Sequence, residues 1–290
     1  MTSKHRFFAS IFILFIGAGL LALSQPVLTS KQLVDGMLSA TTNSNQIQAT
    51  IKAWERFDGR KDLIHNEMDI KLQVKPRKVY VLSKTPPNED VELLYVEGQK
   101  DNKVYVNAGR WIPNVKLSAW GGKLRKDQHH TMHENGFTYL GDIVQWAKEQ
   151  AIEEGRFEEV FRNTGEEKFI GRLCYKLEIN DPTFKYVIYT LKDETLYDLA
   201  VRKRICEYLV VEKNESIDDF DEGKAGQKIK IPTSYAKRTV LYIDKQYMLP
   251  IGQFMYDEVG LFEKYEFHNL KVNPGFKPAE FTEDWEGYRF

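Results

Sequence analysis

The sequence has only two cysteines among its 290 residues, Cys174 and Cys206. Two cysteines cannot form the network of disulfides that stabilises many small secreted domains. They could still form one bridge in an oxidising compartment, but that bridge would join two parts of the chain that we assign to different domains below. We therefore expect two separate, partly buried thiols.

The chain also lacks an excess of charge of either sign. It has 41 Lys and Arg residues against 42 Asp and Glu residues, for a net charge of -1. Removing residues 1–24 would take away Lys4 and Arg6 and leave 39 basic residues against 42 acidic ones, a net charge of -3. No basic excess is left to neutralise phosphates, so no nucleic-acid partner is expected.

Motifs for catalysis and metal binding are missing as well. The sequence has no G-x-S-x-G nucleophile elbow, no HExxH motif and no EF-hand spacing. His129 and His133 are four residues apart, as metal ligands on a helix are, but Gly136 follows and no apolar helical stripe frames them. We expect these histidines, with His130 and Glu134, to form a solvated polar loop, and we predict no catalytic residue, metal ion or cofactor.

The N-terminus has the pattern of a secretory signal. Lys4 and Arg6 form a basic start, residues 7–23 are mostly apolar, and Ala22-Leu23-Ser24 resembles a cleavage site for signal peptidase. This pattern predicts export and a mature chain that begins near Gln25. The alternative is an uncleaved anchor, because the 17 residues of the apolar stretch are at the lower limit for spanning a bilayer.

Most of the remaining sequence alternates between apolar and polar residues, which is typical of strands. Leu33, Val34 and Met37 follow Ser30 at helical spacing, so a helix capped by Ser30 is predicted. The apolar stripe of residues 140–151 predicts a second helix. The predicted strands are 47–53, 68–74, 79–81, 91–95, 104–106, 173–179, 240–243, 251–256 and 265–267. Together they predict an α+β domain with a strongly curved antiparallel sheet.

Residues 185–235, called the central segment below, have a different pattern. A strand over 186–191, two short helices with apolar faces and a strand over 228–231 that ends at Pro232 predict a βααβ unit. The runs Thr195-Leu196-Tyr197-Asp198-Leu199-Ala200 and Gly226-Gln227-Lys228-Ile229-Lys230-Ile231-Pro232, with Asn214 between them, resemble a LysM peptidoglycan-binding module.

The resemblance to LysM implies that glycan binds between the loop after the first strand and the loop after the second helix. An N-acetylated sugar presents amides, hydroxyls and a flat apolar face, so such a groove needs few charges. The implied glycan-binding residues are Lys192, Asp193, Glu194, Thr195, Leu196, Tyr197, Asn214, Glu215, Ser216 and Ile217.

The chain on either side of the central segment resembles the LolA/LolB lipoprotein-carrier superfamily and, within it, the domain-of-unknown-function family DUF1571. The stretches that carry this resemblance are Trp54 to Gly59, Leu94 to Gly98, His133 to Phe137, Leu241 to Asp244 and Leu249 to Ile251. The resemblance implies a curved half-barrel sheet lined with apolar side chains. The expected domains are a signal peptide (1–24), a LolA/LolB-like domain in two parts (25–184 and 236–290) and an inserted LysM module (185–235).

Together these resemblances imply a non-enzymatic protein of the bacterial periplasm or cell envelope. The module would bind peptidoglycan, and the half-barrel would hold a lipid acyl chain or a lipoprotein. Aromatic residues of the meander would either line that cavity or pack in an ordinary core; they include Tyr80, Tyr95, Tyr105, Tyr242, Phe254 and Phe267. Two alternatives stay open, namely a structural scaffold whose barrel is filled by its own side chains and an enzyme that acts on cell-wall glycan.

Overall fold

The computed structural model describes residues 28–57, 62–109, 112–125, 128–220 and 222–290. The predicted signal peptide, residues 1–24, lies outside these described residues. Within the described ranges, no helix combines the length and the apolar character needed to cross a membrane.

The described chain forms thirteen strands and six α-helices. The strands are β1 (Gln46–Arg56), β2 (Leu63–Gln73), β3 (Lys78–Ser83), β4 (Glu92–Val96), β5 (Lys103–Asn107), β6 (Val115–Ser118), β7 (Phe161–Phe169), β8 (Arg172–Asn180), β9 (Tyr186–Thr190), β10 (Lys228–Pro232), β11 (Arg238–Asp244), β12 (Pro250–Tyr256) and β13 (Leu261–Val272). The helices are α1 (Ser30–Asn43), α2 (Gly122–Arg125), α3 (Thr138–Glu153), α4 (Phe157–Val160), α5 (Leu196–Lys203) and α6 (Glu207–Glu212).

Eleven strands form one antiparallel sheet in the order β6-β5-β4-β3-β2-β1-β13-β12-β11-β8-β7. The predicted α+β class is confirmed, and the sheet is open because β6 and β7 are its two edges. Strand β1 lies near the middle, where Ile47, Ala49 and Ile51 point into the core at every second position. It pairs with β13, so that Ile51 lies opposite Phe267. This pairing joins the two parts of the chain that flank the central segment.

Helices α1 and α3 pack together on one face of this sheet. Leu33 and Met37 of α1 share a core with Ile143 and Val144 of α3. Gly141 allows the helices to approach closely, because a Cβ atom there would lie 2.7 Å from Oγ1 of Thr41.

The cap of α1 differs by one residue from the prediction. Thr29, not Ser30, is the N-cap, since its Oγ1 accepts a hydrogen bond from the backbone N–H of Gln32. The Gln32 side chain accepts one from the backbone N–H of Thr29 in return. The Ser30 hydroxyl instead accepts a hydrogen bond from the backbone N–H of Asn163, and thereby ties α1 to β7.

The opposite face of the sheet is covered in part by the C-terminal segment. The ring of Tyr288 stacks on Tyr80 at 3.8 Å between centroids, and Phe290 stacks on Tyr105 at 5.4 Å. Neighbours of Tyr80 along β3, such as Val79, belong instead to the core on the other face. Tyr80 and Tyr105 therefore pack under the C-terminus and not beneath the helices.

The central segment has the predicted order of strand, two helices and strand. Strands β9 and β10 pair as a separate two-stranded antiparallel sheet, with Ile229 opposite Tyr189. A small apolar core of its own includes Leu196, Leu199 and Ile231. The helix α6 lies between two cores, because Val210 belongs to this small core while Leu209 belongs to the core under α1 and α3.

Strand β7 and the short helix α4 were not predicted. Strand β7 is a sheet edge, and most of its residues between Phe161 and Phe169 are exposed or half-buried. A strand that buries so little has no apolar alternation for a sequence pattern to detect.

Candidate functional site

An apolar cavity lies between α3 and the strands β8 and β11. Its volume is about 270 Å³, slightly below the range of roughly 300 to 1,000 Å³ that is common for small-molecule sites. Apolar side chains form much of its wall; they are Leu140, Ile143, Val144, Ala147, Ala151, Val160 and Ile179. Four charged residues also line it, namely Glu154, Arg156, Asp181 and Arg204.

A smaller cavity of about 60 Å³ lies nearer the middle of the sheet. Sheet residues such as Ile51 and Phe267 line it, as does His130 from the loop before α3. Three residues line both cavities: Leu140, Ile143 and Tyr235. The two cavities are therefore neighbours, and Leu140 and Ile143 of α3 and the ring of Tyr235 lie between them.

A third, larger depression of about 720 Å³ lies beside the central segment. Every residue from Lys192 to Tyr197 lines it, so the structure brings together the first of the two predicted glycan-binding loops. Asn214, Glu215, Ser216 and Ile217 are not among its lining residues. It is also lined by Phe220, Glu222, Gly223 and Ala225, and by Trp120 and Arg125 from the chain outside the central segment, which is called the main domain below.

Several of the predicted glycan-binding residues stabilise the central segment itself. Leu196 and Ile217 are buried in its small core. Thr195 is the N-cap of α5 and exchanges hydrogen bonds with Asp198. The Asn214 side chain donates to the backbone carbonyls of Val210 and Lys230, at 2.6 and 2.8 Å, and accepts from the N–H of Lys230. It therefore ties the end of α6 to β10.

Two aromatic residues of this depression were not predicted from the sequence. Trp120 is 43% exposed, and its ring lies 4.8 Å from that of Tyr197, centroid to centroid. Phe220 packs against the Arg125 guanidinium at 3.6 Å. Trp120 lies in a loop without periodicity, and an exposed tryptophan is the one local signal that could have indicated it.

The histidine cluster is not a solvated loop, and that prediction is wrong. His129 is 2% exposed, and its Nδ1 lies 2.8 Å from Oε1 of Glu263, a residue with no measurable exposure. Its Nε2 donates to the backbone carbonyl of Arg56 at 2.7 Å. His133 is turned elsewhere and stacks on Trp120 at 3.7 Å. His129 can be buried because Glu263 on β13 forms a hydrogen bond with its polar ring.

Other polar groups complete the surroundings of Glu263. The Tyr235 hydroxyl donates to Oε2 of Glu263 at 2.8 Å. The Sγ atom of Cys206 lies 3.5 Å from Oε1, and Nε2 of His130 lies 3.6 Å from it. Cys206 and Cys174 are both free thiols, and both are buried, not partly buried as expected.

The electrostatics of this cluster follow from burial and from the neighbouring charges. Burial by itself would raise the pKa of Glu263, but His130 and His129 hold it well below its usual range. Burial would lower the pKa of His130, whereas Glu263 and Glu134 raise it well above its usual value. Burial raises the pKa of the Cys206 thiol, and the charge of Glu263 adds to that effect.

Buried ion pairs join the central segment to the main domain. The Nη2 atom of Arg56 on β1 lies 2.8 Å from a carboxylate oxygen of Glu212 on α6 and 2.5 Å from one of Asp257 after β12. A second pair links Arg125 to Glu207 at the start of α6, at 2.9 Å. Both arginine side chains are 2% exposed.

The family model DUF1571, described as a protein family of unknown function, matches residues 44–214. The match covers more than half of the chain, and the chain belongs to this family. The match begins just before β1 and ends within the central segment, at the residue after α6 and its C-cap. A comparison with curated proteins found no match.

Solved structures with a similar chain path have low sequence identity. The Pseudomonas aeruginosa MucA/MucB complex matches at 11% identity and a TM-score of 0.40, over 87% of this chain and 60% of that one. Lipoprotein LppX of Mycobacterium tuberculosis matches at 9% identity and a TM-score of 0.40, over 84% and 95% of the two chains. A LolA superfamily protein from Nitrosomonas europaea matches at 10% identity and a TM-score of 0.33, over 89% and 100%. The chain thus spans 60% of the length of the MucA/MucB chain that it matches.

Proposed function

We propose that the protein is a non-enzymatic component of the bacterial cell envelope whose LolA/LolB-like main domain binds an acyl chain. The observation that carries this proposal is the apolar cavity of about 270 Å³ between α3 and the sheet. Each methylene that moves from water into such a cavity contributes about 0.8 kcal/mol, so an acyl chain is a sufficient ligand. The chain could belong to a lipid or to a lipoprotein.

The polar part of the ligand would lie at the charged residues of this cavity. Arg156 and Arg204 line it together with the acids Glu154 and Asp181. A bound acyl chain could extend past Leu140 and Ile143 toward the neighbouring cavity, because these two side chains line both cavities.

Native mass spectrometry of the protein purified from a bacterial envelope tests this proposal. We expect a co-purified lipid on the wild type and its loss in Ala147→Trp, which fills the cavity from α3. Glu149→Trp, on the exposed face of the same helix, is the matched control and should retain the lipid. Wild-type protein without lipid, or equal lipid on both variants, would contradict the acyl-chain proposal.

We also propose that the central segment is a LysM-like module, inserted between residues 184 and 236, that binds peptidoglycan. The depression at residues 192–197 supports this, because it combines polar groups such as Lys192 and Asp193 with the rings of Trp120 and Tyr197. Aromatic rings offer a flat apolar surface to a sugar, and the polar groups offer hydrogen bonds. The other side of the groove would be formed by Phe220, Glu222, Gly223 and Ala225 and not by the predicted loop 214–217.

Sedimentation with purified peptidoglycan tests the glycan proposal. Deleting the whole segment is unsuitable, because Tyr208 and Leu209 belong to the core under α1 and α3. We instead expect Trp120→Ala to reduce the sedimented fraction, while Ile188→Ala, which removes a 63% exposed side chain on β9, leaves it unchanged. Equal sedimentation of Trp120→Ala and wild type would refute this role of the depression.

A further inference from the structure

Three side chains from distant parts of the chain bring potential metal ligands together in the interior. They are His129 from the loop before α3, Cys206 at the N-cap of α6 and Glu263 of β13. One ring nitrogen of His129, Sγ of Cys206 and a carboxylate oxygen of Glu263 all lie within 4.8 Å of one another. Each of the three residues is at most 2% exposed.

We propose that these three residues bind one Zn²⁺ ion. Imidazole, thiolate and carboxylate are the ligands that zinc takes in proteins. With zinc bonds of about 2.0 to 2.3 Å, tetrahedral ligands are separated by about 3.3 Å for nitrogen and oxygen and about 3.5 Å for sulfur and oxygen. The distance from Sγ of Cys206 to Oε1 of Glu263 is 3.5 Å. Nδ1 of His129 lies 2.8 Å from Oε1, so these two atoms separate slightly when the ion enters.

The hydrogen bonds that His129 and Glu263 form with neighbouring residues are typical of metal ligands. Nε2 of His129 faces the Arg56 carbonyl at 2.7 Å, which places a hydrogen on Nε2 and turns Nδ1 toward the other two ligands. The second oxygen of Glu263 accepts a hydrogen bond from Tyr235 at 2.8 Å. Metal-binding histidines commonly donate their other N–H to a carbonyl, and ligating carboxylates are themselves hydrogen-bonded. Both conditions are met here.

His130 is positioned to complete the coordination. Its Nε2 lies 3.6 Å from Oε1 of Glu263, and its Nδ1 lies 3.4 Å from Oε2 of Glu134. His130 also lines the cavity of about 60 Å³, from which a water molecule could reach the same position. A histidine backed by a carboxylate is a frequent arrangement at zinc sites.

The charges of the ligands match that of a divalent cation. The Cys206 thiolate and the Glu263 carboxylate carry two negative charges and the His129 imidazole is neutral, so the three ligands together with Zn²⁺ have no net charge. Because the ligands must be deprotonated to bind, zinc binding releases protons and depends on pH. The ion would connect the central segment, through Cys206, to the main domain, in contrast to the expectation of no metal.

Zinc content by elemental mass spectrometry tests the site, with tag-free protein purified in the absence of chelators. We expect about one zinc per chain in the wild type. Cys206→Ser should lose it, whereas Cys174→Ser, which changes a buried thiol of β8 that faces the Arg172 carbonyl, should retain it. Equal zinc content in the two cysteine variants would place the ion elsewhere and overturn the proposal.

Two further measurements keep the test decisive if Cys206→Ser does not fold. Cobalt loading of wild type and Cys174→Ser should give the near-ultraviolet absorption of a cobalt–thiolate bond. Tyr235→Phe keeps all three ligands and removes the hydrogen bond to Glu263, together with the contact of the Tyr235 hydroxyl with Nε2 of His130 at 3.4 Å, so we expect zinc to bind about 10 to 100 times more weakly. Folded wild type that takes up neither zinc nor cobalt, or unchanged zinc affinity in Tyr235→Phe, would also overturn it.

Discussion

The two sides of the central segment differ in the chemistry of their contacts. The inner side is apolar, with nine buried residues that include Leu199, Ile229 and Ile231. The side that faces the main domain combines apolar contacts of α6 with the buried ion pairs of Glu212 and Glu207. Apolar contacts are not directional, whereas a buried charge that misses its partner is strongly penalised. We infer that the apolar core stabilises the segment and the ion pairs fix its position.

Arg56→Met should have the largest effect, because it leaves the carboxylates of Glu212 and Asp257 buried without their cation. Losing one partner of a buried ion pair costs about 3 to 5 kcal/mol of the free energy of unfolding. Urea denaturation would measure this cost. Arg202→Met is the control, since the Arg202 side chain is 44% exposed in its pair with Glu194, and exposed pairs contribute about 0 to 1 kcal/mol. Similar losses in both variants would contradict the positional role of Arg56.

Leu199→Ala should come next. It creates a cavity in the small core of the central segment, where Leu199 is fully buried, at an expected cost of about 2 to 5 kcal/mol. Hydrogen exchange should accelerate in β9, α5 and β10 while β1 to β5 keep their protection. Lys203→Ala, at an exposed position of the same helix, is the control. Equal acceleration throughout the chain would show that the segment and the main sheet unfold as one unit.

The smallest expected effect is a pH dependence at the boundary between the two regions. Burial, and then the charge of Arg77, lower the pKa of His133 to about 4. An unfolded histidine has a pKa of about 6.5, so the unfolded state binds the extra proton between these values. The stability that His133 contributes is therefore complete above pH 6.5 and declines as the pH falls toward 4.

His133→Phe should flatten this decline and keep a ring against Trp120, on which His133 stacks at 3.7 Å. Urea denaturation at pH 7 and pH 5 would compare the variant with wild type. His65→Phe is the control, because His65 is exposed and its ring also stacks on a tryptophan, Trp54. An unchanged pH profile in His133→Phe would rule out this contribution.

Much of the secondary structure could be predicted because each element leaves a local pattern. The alternation at residues 47–53 predicts β1, and the spacing of Leu196, Leu199 and Ala200 predicts α5. Where a strand buries little, as in β7, the sequence contains no such pattern. The predicted N-cap of α1, Ser30, is one residue away from the observed N-cap, Thr29. Both residues have a hydroxyl group that can cap a helix, so the sequence does not distinguish them.

The candidate sites also differ in how far the sequence could predict them. Lys192 to Tyr197 are consecutive, so their grouping in one depression could be anticipated from the sequence, while Trp120 reaches the depression only through the packing of the main domain. His129 and Glu263 are 134 residues apart, and no sequence spacing indicates that contact.

The sequence by itself determined the α+β class, the order of the elements and the separate βααβ pattern of the central segment, because these depend on the period of apolar residues along a short stretch. The tertiary structure decided which polar groups are buried and with what partners. That outcome depends on the pairing of β1 with β13 and on the docking of α6. These contacts bring Arg56, His129, Cys206 and Glu263 together across the sheet and the central segment. Only the folded chain turns a polar loop into a buried cluster able to hold an ion.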